Sequence, residues 1–68
     1  MTETRTTEHT IFELKTYPNG GGWKWEITQQ AIDGEPSIFG VSRSPFVTKE
    51  DAFADGIRML DRLAPHKG

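Results

Sequence analysis

Tyr17-Pro18-Asn19-Gly20-Gly21-Gly22-Trp23-Lys24-Trp25-Glu26-Ile27 is the stretch on which the fold turns. Three glycines could cradle a phosphate, and two tryptophans could stack on a ligand. A phosphate loop of the GxxxxGK[ST] type needs a helix after it, whereas here Gly22 is followed by Trp and a strand pattern. Trp23, Trp25 and Ile27 alternate with Lys24, Glu26, Thr28 and Gln30, the period of a strand with one buried face and one wet face. Pro18 fixes φ, and Asn19 and the glycines tolerate positive φ, so the residues before the strand read as a hairpin connection.

On the N-terminal side, Ile11-Phe12-Glu13-Leu14-Lys15-Thr16-Tyr17 is β-rich and alternates in the same way, with Phe12, Leu14 and Thr16 on one side. Two registers of this hairpin keep like faces together. One sets Lys15 against Lys24 and Glu13 against Glu26. The other sets Lys15 against Glu26, Tyr17 against Lys24, Leu14 against Ile27 and Thr16 against Trp25. Opposite charges across a pair stabilise by about 0.2–1 kcal/mol and like charges do the reverse, so the second register is expected.

After a loop around Asp33-Gly34-Glu35-Pro36, the run Ser37-Ile38-Phe39-Gly40-Val41-Ser42-Arg43 reads as a third strand, weakened by its glycine. Phe39 and Val41 are expected to face inward, with Ile38, Ser42 and Arg43 outside or at the edge. Thr48 is a good N-cap, with Asp51 placed near a capping box and Val47 positioned to staple onto Ala52. Ala52, Phe53, Gly56, Ile57, Leu60, Leu63 and Ala64 recur at helical spacing, Asp51 and Asp55 come early, Arg58 and Arg62 come late, and Pro65 ends the helix. The apolar stripe needs a partner, and the Trp23/Trp25/Ile27 face is the only apolar surface large enough. The expected fold is therefore α+β, a three-stranded antiparallel sheet with one C-terminal helix packed on one face, in two layers.

The chain has 68 residues, enough for one small domain. Residues 1–9 contain no apolar side chain after Met1 and read as a flexible N-terminal tail. Residues 10–64 form the β-β-β-α domain, and residues 65–68 a C-terminal tail. With no Cys and only two His, neither disulfides nor a zinc site of the usual kind is expected to staple so small a core. Ten Asp and Glu against eight Lys and Arg give a net charge of −2, which offers no electrostatic footprint for nucleic acid or anionic membrane. No apolar run approaches the length of a membrane span, and the polar N-terminus lacks the apolar stretch of a signal peptide. A cytoplasmic protein is expected.

No catalytic constellation stands out, because both histidines fall in the expected tails and the helical aspartates are accounted for by capping and by pairs such as Asp55 with Arg58. No enzyme, cofactor, metal or small-molecule substrate is expected. What remains is the outer sheet face, with Lys15, Tyr17, Lys24 and Arg43 as candidate binding residues. A protein-interaction or self-associating module is the leading expectation, with a protein partner or a second copy as its ligand.

The run Trp23 to Ile27, the strand Ile38 to Ser42, the helix entry Phe46-Val47-Thr48-Lys49-Glu50-Asp51-Ala52 and the later Gly56-Ile57 resemble the YegP-like family of small bacterial proteins. That family has a W-x-W strand, a Ser-containing strand and an aromatic-x-[ST]-K-x-x-[AC] helix entry. The resemblance covers most of residues 11–63 and departs at the glycine triplet and in a longer segment between Ile27 and Ile38. It implies a fold and a bacterial source, and brings no activity with it. A second likeness is to APETALA-type and integrase-arm DNA-binding domains, which lay the outer face of such a sheet in the major groove. That likeness implies Lys15, Lys24 and Arg43 as DNA readers, on a face where Glu13 and Glu26 would repel phosphate.

Overall fold

A computed structural model describes residues 1–65; the expected tail residues 66–68, including His66, lie outside the described residues. The elements run β1 (Thr2–Thr6), β2 (Thr10–Asn19), β3 (Gly22–Ala31), β4 (Ser37–Val41) and α1 (Lys49–Leu63). The strands form one antiparallel sheet in the order β1-β2-β3-β4, and α1 packs on β2 and β3. The class is α+β as expected, but the sheet has four strands rather than three.

The additional strand is β1, formed by residues expected to be a flexible tail. Its pattern TETRT is polar on both faces, so apolar periodicity could not reveal it. Thr2 pairs with Lys15, Glu3 with Leu14 and Arg5 with Phe12, which turns Glu3 and Arg5 toward the helix side. There Arg5 Nη1 donates to Asp61 Oδ1 at 2.7 Å and to the Ala64 carbonyl at 3.0 Å, and Nε donates to Glu3 Oε2 at 3.0 Å. A single guanidinium thus ties the first strand to the last turn of the helix, where orphan carbonyls need donors.

The central hairpin has the expected register. Lys15 faces Glu26, Tyr17 faces Lys24, Leu14 faces Ile27 and Thr16 faces Trp25. Asn19 pairs with Gly22, so the loop itself is Gly20-Gly21, with φ of 54° and 85°. Positive φ at both central residues is the type I′ geometry whose twist matches that of the flanking strands. The triplet is therefore a tight hairpin turn and not a phosphate cradle.

Phe12, Leu14, Trp25, Ile27, Leu60 and Ala64 make the buried core, with Phe46, Phe53, Ile57, Met59 and Leu63 packed around it. Leu14, Ile27 and Leu60 are fully buried, each contributing about 1.5–3 kcal/mol relative to exposure. Thr48 caps the helix, its side chain accepting from Asp51 N at 3.0 Å. The expected Val47 staple does not form: Val47 is 88% exposed, and Phe46 before it packs on the core instead.

The faces of β4 also differ from expectation. A bulge lies between Ile27 and Thr28, so that Glu26 faces Val41, Ile27 faces Gly40 and Thr28 faces Ile38. Val41 consequently lies on the outer face with Glu26, not inside. Phe39, the extra residue, reaches inward only to the margin of the core, where its ring meets Phe12 edge-on at 6.3 Å. Ser42, expected outside or at the edge, is buried. Its backbone N donates to Trp25 O at 3.0 Å, and its Oγ accepts from Trp25 N at 3.2 Å. Trp23 and Phe46 exchange both backbone hydrogen bonds, at 2.8 and 2.6 Å, so the chain after β4 stays strapped to β3.

Candidate functional site

The sheet presents two surfaces that the core does not consume: the outer face, and the border between β4 and α1. The outer face lies opposite the helix and, among the described residues, has no second layer over it. Lys15, Tyr17 and Lys24 share it, Tyr17 directly across from Lys24. Lys15 Nζ lies 3.5 Å from Glu26 Oε2, so one of the two lysine charges is already met by a carboxylate. Ile11, Ile38 and Val41 add exposed apolar groups to the same face.

Arg43, the fourth expected binding residue, does not join that group. The strand ends at Val41, and Arg43 lies in the connecting segment, on the wall of a cleft of about 380 Å³ between that segment and the helix. Trp25, Val41, Phe46 and Met59 line it with apolar surface, and Asp55 lines it from α1. Trp25 Nε1 donates to Asp55 Oδ2 at 2.8 Å, which fixes the carboxylate at the edge of the cleft. The cleft continues into a second hollow of about 200 Å³ beside Arg58 and Arg62.

The side chains that sequence reasoning did not select are Phe39, Met59, Arg58 and Arg62. Asp55, Arg58, Met59 and Arg62 recur at i, i+3, i+4 and i+7, which marks one flank of a helix. That periodicity is visible in the sequence. The strand beside which the flank lies is not, because it depends on how the helix crosses the sheet.

Trp23 is half-buried at the start of β3, and Lys49 Nζ sits 5.5 Å from its ring centre, a cation–π contact that closes the near end of the helix–sheet seam. The tryptophans are thus occupied by the core and its rim rather than laid out as a stacking platform. Among the described residues, no three His, Asp or Glu side chains are close enough together to hold a metal ion. No helix among them is long and apolar enough to cross a membrane.

The Arg5 guanidinium has its pKa raised above the ordinary value, through the hydrogen bond to Asp61 first and that to Glu3 second. Its role is structural, at the β1 edge and away from the cleft. No protein-family model, curated protein or solved structure matches the chain.

Proposed function

We propose that the protein is a small non-enzymatic interaction module that accepts a strand from a protein partner, or from a second copy, along the free edge of β4. The observation that carries this reading is the exposure of the edge. Among the described residues β4 has a neighbour only in β3, yet Ile38 is 63% exposed, Phe39 42% and Val41 44%. Free edges normally carry charge or Pro within the strand, and SIFGV carries neither. The opposite edge, β1, holds a Glu and an Arg among threonines. An added strand would satisfy the open backbone groups of β4 and cover its apolar side chains.

Light scattering over a wide concentration range, together with pull-downs from lysate, tests the reading against the double variant Ile38→Lys, Val41→Lys. Association that disappears in the variant, with the far-UV spectrum unchanged, supports it. Association that persists in the variant, or a wild-type protein that stays monomeric and holds no strand-forming ligand, removes it.

A second reading rests on the adjacency of Tyr17 and Lys24 on the uncovered outer face: a nucleic-acid module that uses that face. Salt-dependent binding of duplex DNA, lost on Lys24→Glu, would support it, and no binding at low salt would eliminate it.

A further inference from the structure

The border between β4 and α1 carries charge as well as apolar surface. Resting on the strand-acceptor reading above, we infer that the strand taken up by β4 is an acidic one, whose carboxylates on the helix side are met by Arg43, Arg58 and Arg62.

Charge is the first argument. All three arginines are exposed, and among the described residues none of them forms an ion pair, whereas Arg5 and Lys15 do. The carboxylates on this border are Asp55, whose Oδ2 already accepts from Trp25, and Asp51 of the first helical turn, which shares a hollow with Arg58. Three cations against these two anions leave an excess of one positive charge along this border, in a chain whose net charge is −2. A local field opposite in sign to that of the whole protein selects acidic ligands and suppresses others.

Spacing is the second argument. Lys49 covers Trp23 and Asp55 bonds Trp25, so the first half of α1 runs along β3 in the same direction, while its last turn leans toward β1, where Asp61 meets Arg5. Arg58 and Arg62 are one helical turn apart, about 6 Å along the axis. Alternate side chains of a strand project to one side about 6.6 Å apart. An extended segment with acidic residues at every second position would therefore present successive carboxylates to successive arginines. Its intervening side chains would turn to the outer face, beside Ile38 and Val41.

A phosphate backbone would also seek three arginines. It has no use for the open backbone groups of β4 or for the Met59 and Trp25 surface, so the acidic strand fits more of what is present.

The test uses the full chain and a fluorescein-labelled peptide alternating valine with glutamate, with valine–glutamine and valine–lysine peptides as controls. The valine–glutamate peptide is expected to bind best. Its affinity should fall by about tenfold or more in the exposed-surface double variant Arg58→Glu, Arg62→Glu and on raising salt. It should also be lost in Ile38→Lys, Val41→Lys. If the glutamine peptide binds equally well and Arg58→Glu, Arg62→Glu changes nothing, the acidic inference is overturned while strand uptake stands. If no peptide binds, both fall. If the double arginine variant loses duplex DNA and not the peptide, the border is a nucleic-acid site and the inference is overturned.

Discussion

Trp25 donates its indole N–H to Asp55 Oδ2 at 2.8 Å, joining the most buried aromatic residue of the sheet to the exposed flank of the helix. The two residues are 30 apart in sequence, so the bond exists only once α1 has docked. Asp55→Ala should destabilise the fold by about 1–2 kcal/mol, because it strips a charged acceptor from a largely buried donor while the cleft lets water take part of its place. Asp55→Asn keeps an acceptor and should lose less. Urea denaturation midpoints of the three proteins check the order, and equal midpoints would show the bond to be dispensable.

The helix lies so close to the sheet at Gly56 that a Cβ there would overlap Leu14 Cδ1 and approach within 3.1 Å of Trp25 Cγ. Leu14 is fully buried and has nowhere to retreat. Gly56→Ala should therefore cost about 1–2 kcal/mol, the overpacking penalty exceeding the gain of about 1 kcal/mol in helix propensity. Gly40→Ala is the contrast, since nothing lies within 4 Å of where a Cβ would sit and the substitution should be neutral to slightly stabilising. Thermal melts of both variants settle the comparison. A Gly56→Ala protein more stable than the parent would mean that the helix can lift without loss.

The central hairpin and the helix were legible because each is written in a local period: alternation in β2 and β3, a stripe of three and four in α1, a cap at Thr48. The charge argument was enough to choose the register. β1 was not legible, because its alternation is Thr against Glu and Arg and its anchor, Asp61, lies 56 residues away. Apolar content marks strands that build a core, not strands that pair with one through backbone bonds and a buried-side guanidinium. Val41 was misplaced for a different reason: a bulge opposite Ile27 and Thr28 inverts the alternation beyond it, and no residue type announces that. Of the expected binding residues, Lys15, Tyr17 and Lys24 were placed together correctly by strand period, while Arg43 fell beyond the strand. The sequence shows Arg58 and Arg62 only as dipole partners, because their second property, a shared hollow with Trp25, belongs to the tertiary arrangement.

The Arg5 bridge predicts that β1 is held by one side chain. In Arg5→Ala, amide hydrogen exchange in Thr2–Thr6 should accelerate while the β2–β3 ladder stays protected. Arg5→Lys should restore only part of the protection, since an ammonium cannot reach Glu3, Asp61 and the Ala64 carbonyl in a planar fork. A group whose folded pKa is raised contributes its full stabilisation below the unfolded value and loses it only as pH rises past the folded one, and for a guanidinium both lie far above neutrality. The protection due to Arg5 should therefore be the same at pH 7 and pH 10. A difference between the parent and Arg5→Ala that shrinks across that interval would assign the anchoring to another group.

Gly20 and Gly21 supply the last prediction, because the turn they form sets the register on which both candidate surfaces depend. Their φ values of 54° and 85° are costly for residues with a Cβ, about 1–2 kcal/mol each, and least so for Asn. Gly20→Asn should leave stability nearly unchanged, since Asn-Gly is a favoured pair in this turn. Gly21→Val should lower it by about 1–2 kcal/mol. The register has its own control in the pair Lys15 and Glu26, whose 3.5 Å contact is partly exposed and, after solvent screening, should contribute only about 0.5 kcal/mol. Glu26→Lys should lose that amount and the exchanged pair Lys15→Glu, Glu26→Lys should recover most of it. Cross-strand contacts by NMR in Gly21→Val would then show whether the turn or the charge pair holds the register. A hairpin that keeps Tyr17 against Lys24 despite the strained turn would assign it to the core face, to Leu14 against Ile27.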